Sequence, residues 1–233
     1  MAPADAASPM TQPAWRPLDP HQRRVLGVLI EKAKTTPGAY PMSVNAIVTG
    51  CNQRNNREPI MSLDESDVER ALDGLRTLKA ASEMDWLGRV PKHRHHAYEW
   101  LGVSKAELAV LGELLLRGPQ TLGELRSRAA RMEPIADLAA LKPIVDGLLE
   151  RGLMIALSPP GRGQIVTHRL YPPDEMAALE APAGDHRPRE TSTDAPAAVA
   201  DGLRAEVAQL RSELARLRAR VAELESRFTG PGR

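Results

Sequence analysis

Between Arg89 and Tyr98 the chain reads RVPKHRHHAY, in which Arg89, Lys92 and Arg94 alternate with His93, His95 and His96 and no acidic residue intervenes. Cationic side chains at this density could lie along phosphate oxygens, contacts that hold a duplex without reading its sequence. An edge hairpin kept charged against strand pairing has the same composition. A second polar run, NQRNNREP from Asn52 to Pro59, contributes Arg54, Asn55, Asn56 and Arg57. Such side chains suit base edges and phosphates, and equally suit turns and helix caps. The nucleic-acid candidates are therefore Arg54, Asn55, Asn56, Arg57, Arg89, Lys92, His93, Arg94 and His95.

Other chemistry is poorly supplied. His93 and His95 are spaced to share a strand face, but structural zinc needs four ligands and the single Cys51 is distant in sequence, so no metal and no cofactor are expected. Cys51 follows a short apolar stretch and reads as a small buried side chain with no histidine tied to it as a base. No phosphate loop, dinucleotide fingerprint, hydrolase elbow or metalloprotease motif occurs, and an enzyme is not expected.

The elements that position these residues follow from caps and apolar spacing. Asp19 caps a helix with Pro20 at its first position, and Val25, Leu26, Leu29 and Ile30 recur on one face to about Lys34. Ser43 caps a short second helix carrying Val44, Ile47 and Val48. Ser62 and Glu65 read as the capping box of a third, with Val68, Ala71, Leu72, Leu75 and Leu78 inward. A hairpin whose return arm is RVPKHRHHAYEW completes the module. Exposed early in the third helix are Asp64, Glu65, Asp67 and Glu69, carboxylates that would repel DNA.

The pattern then repeats. Ser104 with Glu107 and Thr121 with Glu124 form capping boxes, and a third helical stretch ends in VDGLLERGLM, with Pro143 predicted to start or kink it. Leu153–Leu157 and Ile165–Tyr171 make a second hairpin around SPPGRG. Arg126, Arg128 and Arg131, with Lys142 and Arg162, could touch phosphates, although a solvated helix face explains them as easily. VLGVLIEK at Val25 matches VLGELLLR at Val110, and LDGL at Leu72 matches VDGL at Val145, which points to duplication.

Composition agrees with a helical protein: 42% of the 233 residues are hydrophobic, but only 3% are aromatic. One cysteine excludes an internal disulfide, and no apolar run approaches the roughly 20 residues of a membrane span. The amino terminus lacks the pattern of a secretory signal. A cytoplasmic protein without membrane association is expected. Residues 18–103 carry 12 basic and 11 acidic groups, so the first module is not strongly basic. Residues 173–202 are rich in Pro, Ala and acid and read as a flexible linker. Beyond it Leu203, Val207, Leu210, Leu214, Leu217, Val221, Leu224 and Phe228 alternate at spacings of four and three, a coiled-coil seam. Flanking charges at Glu206 with Arg211, Glu213 with Arg218, and Arg220 with Glu225 suit a parallel homodimer.

The strings LGVLIEKAKTTPGAYPMSVNAIVTGCNQRNNREPIMSL, VERALDGL and GRVPKHRHHAYEWLGVSKAELAVLGELLLRGPQTLGELRSRA resemble the bacterial YceH family. The resemblance runs from about Leu18 to Tyr171 and implies tandem winged-helix domains; it supplies no catalytic residues. The expected fold is mainly α with small β-hairpin wings: leader 1–17, winged-helix domain 1 at 18–102, domain 2 at 103–172, linker 173–202 and coiled coil 203–228. The expected function is DNA binding, as a transcriptional regulator whose first wing contacts double-stranded DNA through phosphates. The alternative is a protein-interaction scaffold of tandem winged-helix type, of the kind used in chromosome segregation, with a protein partner.

Overall fold

The computed structural model describes residues 15–84 and 90–181, which are mainly helical with two small antiparallel sheets. The first helix, α1 (Pro20–Thr35), begins where the Asp19 side chain accepts from the Gln22 N–H and the Gln22 side chain accepts from the Asp19 N–H. Its residues from Arg23 to Glu31 are all buried, because α1 is covered on more than one side. Helices α2 (Val44–Cys51), capped by Ser43, and α3 (Glu65–Thr77) pack against it, and so does α5 (Lys105–Arg117).

The α1–α5 pair is the centre of the molecule, and both helices belong to the repeated string VLGxL. Their glycines are what lets them approach. A Cβ on Gly27 would lie 3.0 Å from Leu116, and one on Gly112 would lie 2.8 Å from Ile30 Cγ2. Mid-helix glycine costs roughly 0.5–1 kcal/mol relative to alanine, so its presence in both helices is offset by the packing it permits. A single apolar core runs through both halves, from Leu18 and Leu26 to Leu148 and Val166.

Helix α3 departs from the expected start. Its cap is Asp64, whose carboxylate accepts from the Asp67 N–H while the Asp67 carboxylate accepts from the Asp64 N–H. The predicted Ser62–Glu65 box is not used, since the same reciprocal chemistry is available two residues later. Strands β1 (Ala81–Met84) and β2 (Lys92–His95) pair with Ser82 opposite Arg94 and Glu83 opposite His93. On the other side of β2, His93 exchanges backbone hydrogen bonds with Met42 at 2.7 and 3.1 Å.

A short helix, α4 (Ala97–Leu101), ends at Gly102 with φ of 64° and leads into α5. The second half continues with β3 (Gln120–Thr121), α6 (Leu122–Ala129), α7 (Leu138–Glu150), β4 (Met154–Ala156) and β5 (Ile165–His168), in sheet order β3-β5-β4. Helix α7 begins at its Asp137 cap and runs through Pro143 rather than starting there. The ring removes only the N–H that would bond the Ala139 carbonyl, and that carbonyl lies in an exposed first turn, open to solvent.

The segment read as a linker opens with a helix, α8 (Pro173–Glu180). Met176 is buried, and Glu175 pairs with Arg23 of α1 at 2.5 Å, so this part is docked rather than free. Trp15, within the predicted leader, also packs against the core. The seam residues Leu203–Phe228 lie outside the described residues. No helix among the described residues is long and apolar enough to cross a membrane.

Candidate functional site

Two of the nine predicted contacts are interior residues. Arg57 has a fully buried side chain that donates to both Glu31 oxygens (3.3 and 2.5 Å), to the Gly50 and Asn56 carbonyls and to Gln53 Oε1. It closes the loop between α2 and α3 onto α1 and cannot reach a phosphate. His93 is 5% exposed, because β2 turns alternate side chains inward and position 93 faces α3. His95 is half-buried; its Nδ1 accepts from the Ala97 N–H and its backbone N–H donates to the Tyr40 hydroxyl at 2.6 Å. Burial first, then the neighbouring His96, pushes its imidazole down to about 4, so it carries no charge at neutral pH.

The remaining candidates differ in exposure and partners. Asn56 sits at φ 59°, a left-handed position that asparagine tolerates, and its Oδ1 accepts from Arg117 Nη2 at 2.7 Å. Arg54, Asn55 and Arg94 are exposed and Lys92 is half-buried. Arg89 lies outside the described residues. In the second half Arg128 bonds Gln120 and Glu124, Arg126 bonds the Ala136 carbonyl, and Lys142 pairs with Asp146 at 2.6 Å. These cations are engaged within the fold.

Arg131 belongs with Arg57 to an ionic cluster that joins the two halves. It pairs with Glu31 of α1 and, at 3.1 Å, with Glu113 of α5. The two carboxylates titrate in opposite directions. Burial pushes Glu31 up, but hydrogen bonds and charge from Arg57 and Arg131 outweigh it and hold the group below the usual range. Burial wins at Glu113, which is raised despite Arg131 and Arg117. Arg117 Nε lies 3.2 Å from Glu113 Oε1 but off the hydrogen-bonding direction, so both atoms lack a hydrogen bond and the contact is purely ionic. Arg24 binds the carbonyls of Cys51, Pro59 and Leu116, and burial lowers it to about 10. Cys51 is buried, and its thiol is pushed up to about 12, which removes it as a nucleophile.

A groove of about 560 Å³ opens where α2, α3 and the first hairpin meet. Ser43, Val44 and Asn45 come from the start of α2, and Glu65, Glu69, Leu72, Asp73 and Arg76 from α3; Glu83, Val90, Pro91 and His93 complete it from the hairpin. Arg76 bridges Asp73 and Glu83, each at 3.1 Å. The acidic run of the third helix was visible in the sequence; its convergence with Glu83 and the apolar hairpin residues was not. No group of three or more His, Cys, Asp or Glu among the described residues is arranged to hold a metal ion.

The geometry defines a mainly helical protein with two small antiparallel sheets around one core and a groove beside the first sheet. Residues 18–162 match the profile of a family described as a protein of unknown function, DUF480. The chain is 56% identical over 164 residues to UPF0502 protein RB6530 of Rhodopirellula baltica, covering 70% of this chain and 69% of that one. It is 57% identical over 128 residues to UPF0502 protein GSU0233 of Geobacter sulfurreducens (55% and 58%) and 56% identical over 131 residues to a UPF0502 protein of Pelobacter propionicus (56% and 60%). The chain belongs to the DUF480 family, also designated UPF0502, the same family as YceH.

Proposed function

We propose that each three-helix-plus-hairpin unit is a winged helix and that the pair serves as a protein-interaction module. The observation that carries this reading is the charge of α3, which occupies the recognition-helix position. It bears Glu65, Asp67, Glu69 and Asp73 against Arg70 and Arg76, and each arginine already pairs with a carboxylate of its own helix. A carboxylate 4 Å from a phosphate costs about 1 kcal/mol in water and about 4 kcal/mol at an effective dielectric of 20, so this helix opposes entry into a groove of DNA. The equivalent helix, α7, exposes Leu138, Ala139, Ala140 and Pro143, an apolar surface suited to protein contact. Residues 203–228 would dimerise such a module in parallel, doubling its contacts with a multivalent partner.

A second reading, duplex contact through the first wing, draws on the exposed Arg94 of β2, with the exposed Arg54 of the α2–α3 loop as a further phosphate contact. The test is fluorescence anisotropy of a random 30-base-pair duplex titrated with full-length protein at low and moderate salt, run beside a pull-down from nuclease-treated lysate. The scaffold reading expects no salt-sensitive duplex binding and a stoichiometric protein partner. Tight binding that weakens steeply with salt, together with loss of that binding in Arg54→Ala and Arg94→Ala, would replace it with the second.

A further inference from the structure

We propose that the groove between α2, α3 and the first hairpin binds an extended peptide segment carrying lysine or arginine beside an aliphatic side chain. This inference rests on the protein-interaction reading and names the class of partner. Its size falls in the range of sites that enclose a few side chains. The floor is apolar, from Val44, Leu72 and Pro91, and Val90 stands at the rim with 67% of its surface exposed.

The rim sets the charge of the occupant. Arg76 is held by Asp73 and Glu83, whereas Glu65 and Glu69 have no cationic partner among the described residues. Two unneutralised carboxylates over an apolar floor complement a cationic, amphipathic strand and repel nucleic acid and acidic peptides.

An independent observation comes from His93. Its side chain is buried, its Nδ1 has no hydrogen-bond partner among the described residues, and the charged groups that act on its ring, Glu83, Arg76, Asp73 and Glu69, all line this groove. Leaving a buried polar atom unpaired is costly, and a ligand N–H delivered into the groove would satisfy it. Burial depresses the imidazole, so it stays neutral at physiological pH, and with its hydrogen on Nε2 the ring can accept that hydrogen bond at Nδ1. Because β2 is already paired with β1 and, at His93, with Met42, recognition proceeds through side chains rather than by adding a strand.

The experiment titrates full-length protein into three fluorescein-labelled, end-capped octapeptides: lysine alternating with valine, glutamate with valine, and lysine with serine. The lysine–valine peptide is expected to bind at least about tenfold more tightly than either control, with a shift of the His93 ring resonances in nitrogen-15 spectra. Glu65→Gln with Glu69→Gln, both exposed, is expected to weaken that peptide by about tenfold or more; Asp146→Asn with Glu150→Gln on α7 is expected to leave it unchanged. Equal binding of all three peptides, or no effect of the α3 pair, overturns the proposal. If a partner from the nuclease-treated pull-down is retained by the α3 pair, the groove assignment falls while the protein-interaction reading stands. Duplex binding strengthened by the same pair overturns both.

Discussion

Replacing Arg57 with alanine is expected to cost the fold about 3–5 kcal/mol, the typical result of removing one partner of a buried ion pair. Arg57 donates five hydrogen bonds, two of them to Glu31, whose side chain is only 2% exposed. Without it that carboxylate keeps Arg131, and Lys32 at 3.8 Å, while the Gly50 and Asn56 carbonyls lose their donor. One kcal/mol shifts Tm by about 2–4 °C for a unit of this size, so the expected fall is about 6–20 °C. Adding Glu31→Gln removes the stranded charge and should recover part of the loss, because a buried neutral amide is cheaper to leave underpaired than a carboxylate. Thermal unfolding followed by circular dichroism, on parent, single and double variants in one buffer, measures both steps. A single variant melting within about 2 °C of the parent would refute the interior role of Arg57 and return it to the set of available surface cations.

Gly112→Ala places a methyl group 2.8 Å from Ile30 Cγ2 and is expected to destabilise by about 1–3 kcal/mol; an unchanged urea midpoint would mean that the α1–α5 crossing is not set by its glycines. Acid should weaken the fold before carboxylates titrate. His168, pushed down to about 3 by burial and then by Arg23, and His95, at about 4, refuse protons that the unfolded chain accepts below its value near 6.5, so their contribution is complete above pH 6.5 and lost as pH falls toward those values. At pH 5 that amounts to roughly 2 kcal/mol for each group. Glu31, held low, adds to this loss at more acid pH, whereas the raised Glu113 opposes it. Urea midpoints at pH 7 and pH 5 should therefore differ, His168→Gln should narrow the difference, and identical midpoints in the parent would contradict the burial argument. Removing residues 203–233 is expected to halve the mass measured by light scattering, and an unchanged mass would locate association in the folded unit itself.

Local chemistry was legible in the sequence wherever the responsible groups lie within about four residues. Asp19, Ser43, Ser104 and Thr121 cap the helices they were expected to cap, because each carries its acceptor beside the free N–H groups it satisfies. Ser62 failed for a local reason too, in that Asp64 and Asp67 offered a competing box. The repeated VLGxL string was legible in the sequence as a match between α1 and α5. That its glycines form the crossing between these two helices emerged only once they were packed together.

Composition and period cannot assign burial to a charged residue, and there tertiary structure decided. Arg57 and Arg54 stand three positions apart in one polar loop, yet one is sealed against Glu31 and the other is exposed. The difference is a carboxylate 26 residues upstream on α1, which supplies the charge and hydrogen bonds that an interior guanidinium requires. His93 and Arg94 are adjacent in what reads as one basic strand, and the pleat sends them to opposite faces. The groove likewise joins residues from Ser43 to His93 that share no motif. Helices and their caps belong to the sequence because they depend on near neighbours; which cations remain free for a partner depends on groups that only folding brings within hydrogen-bonding distance.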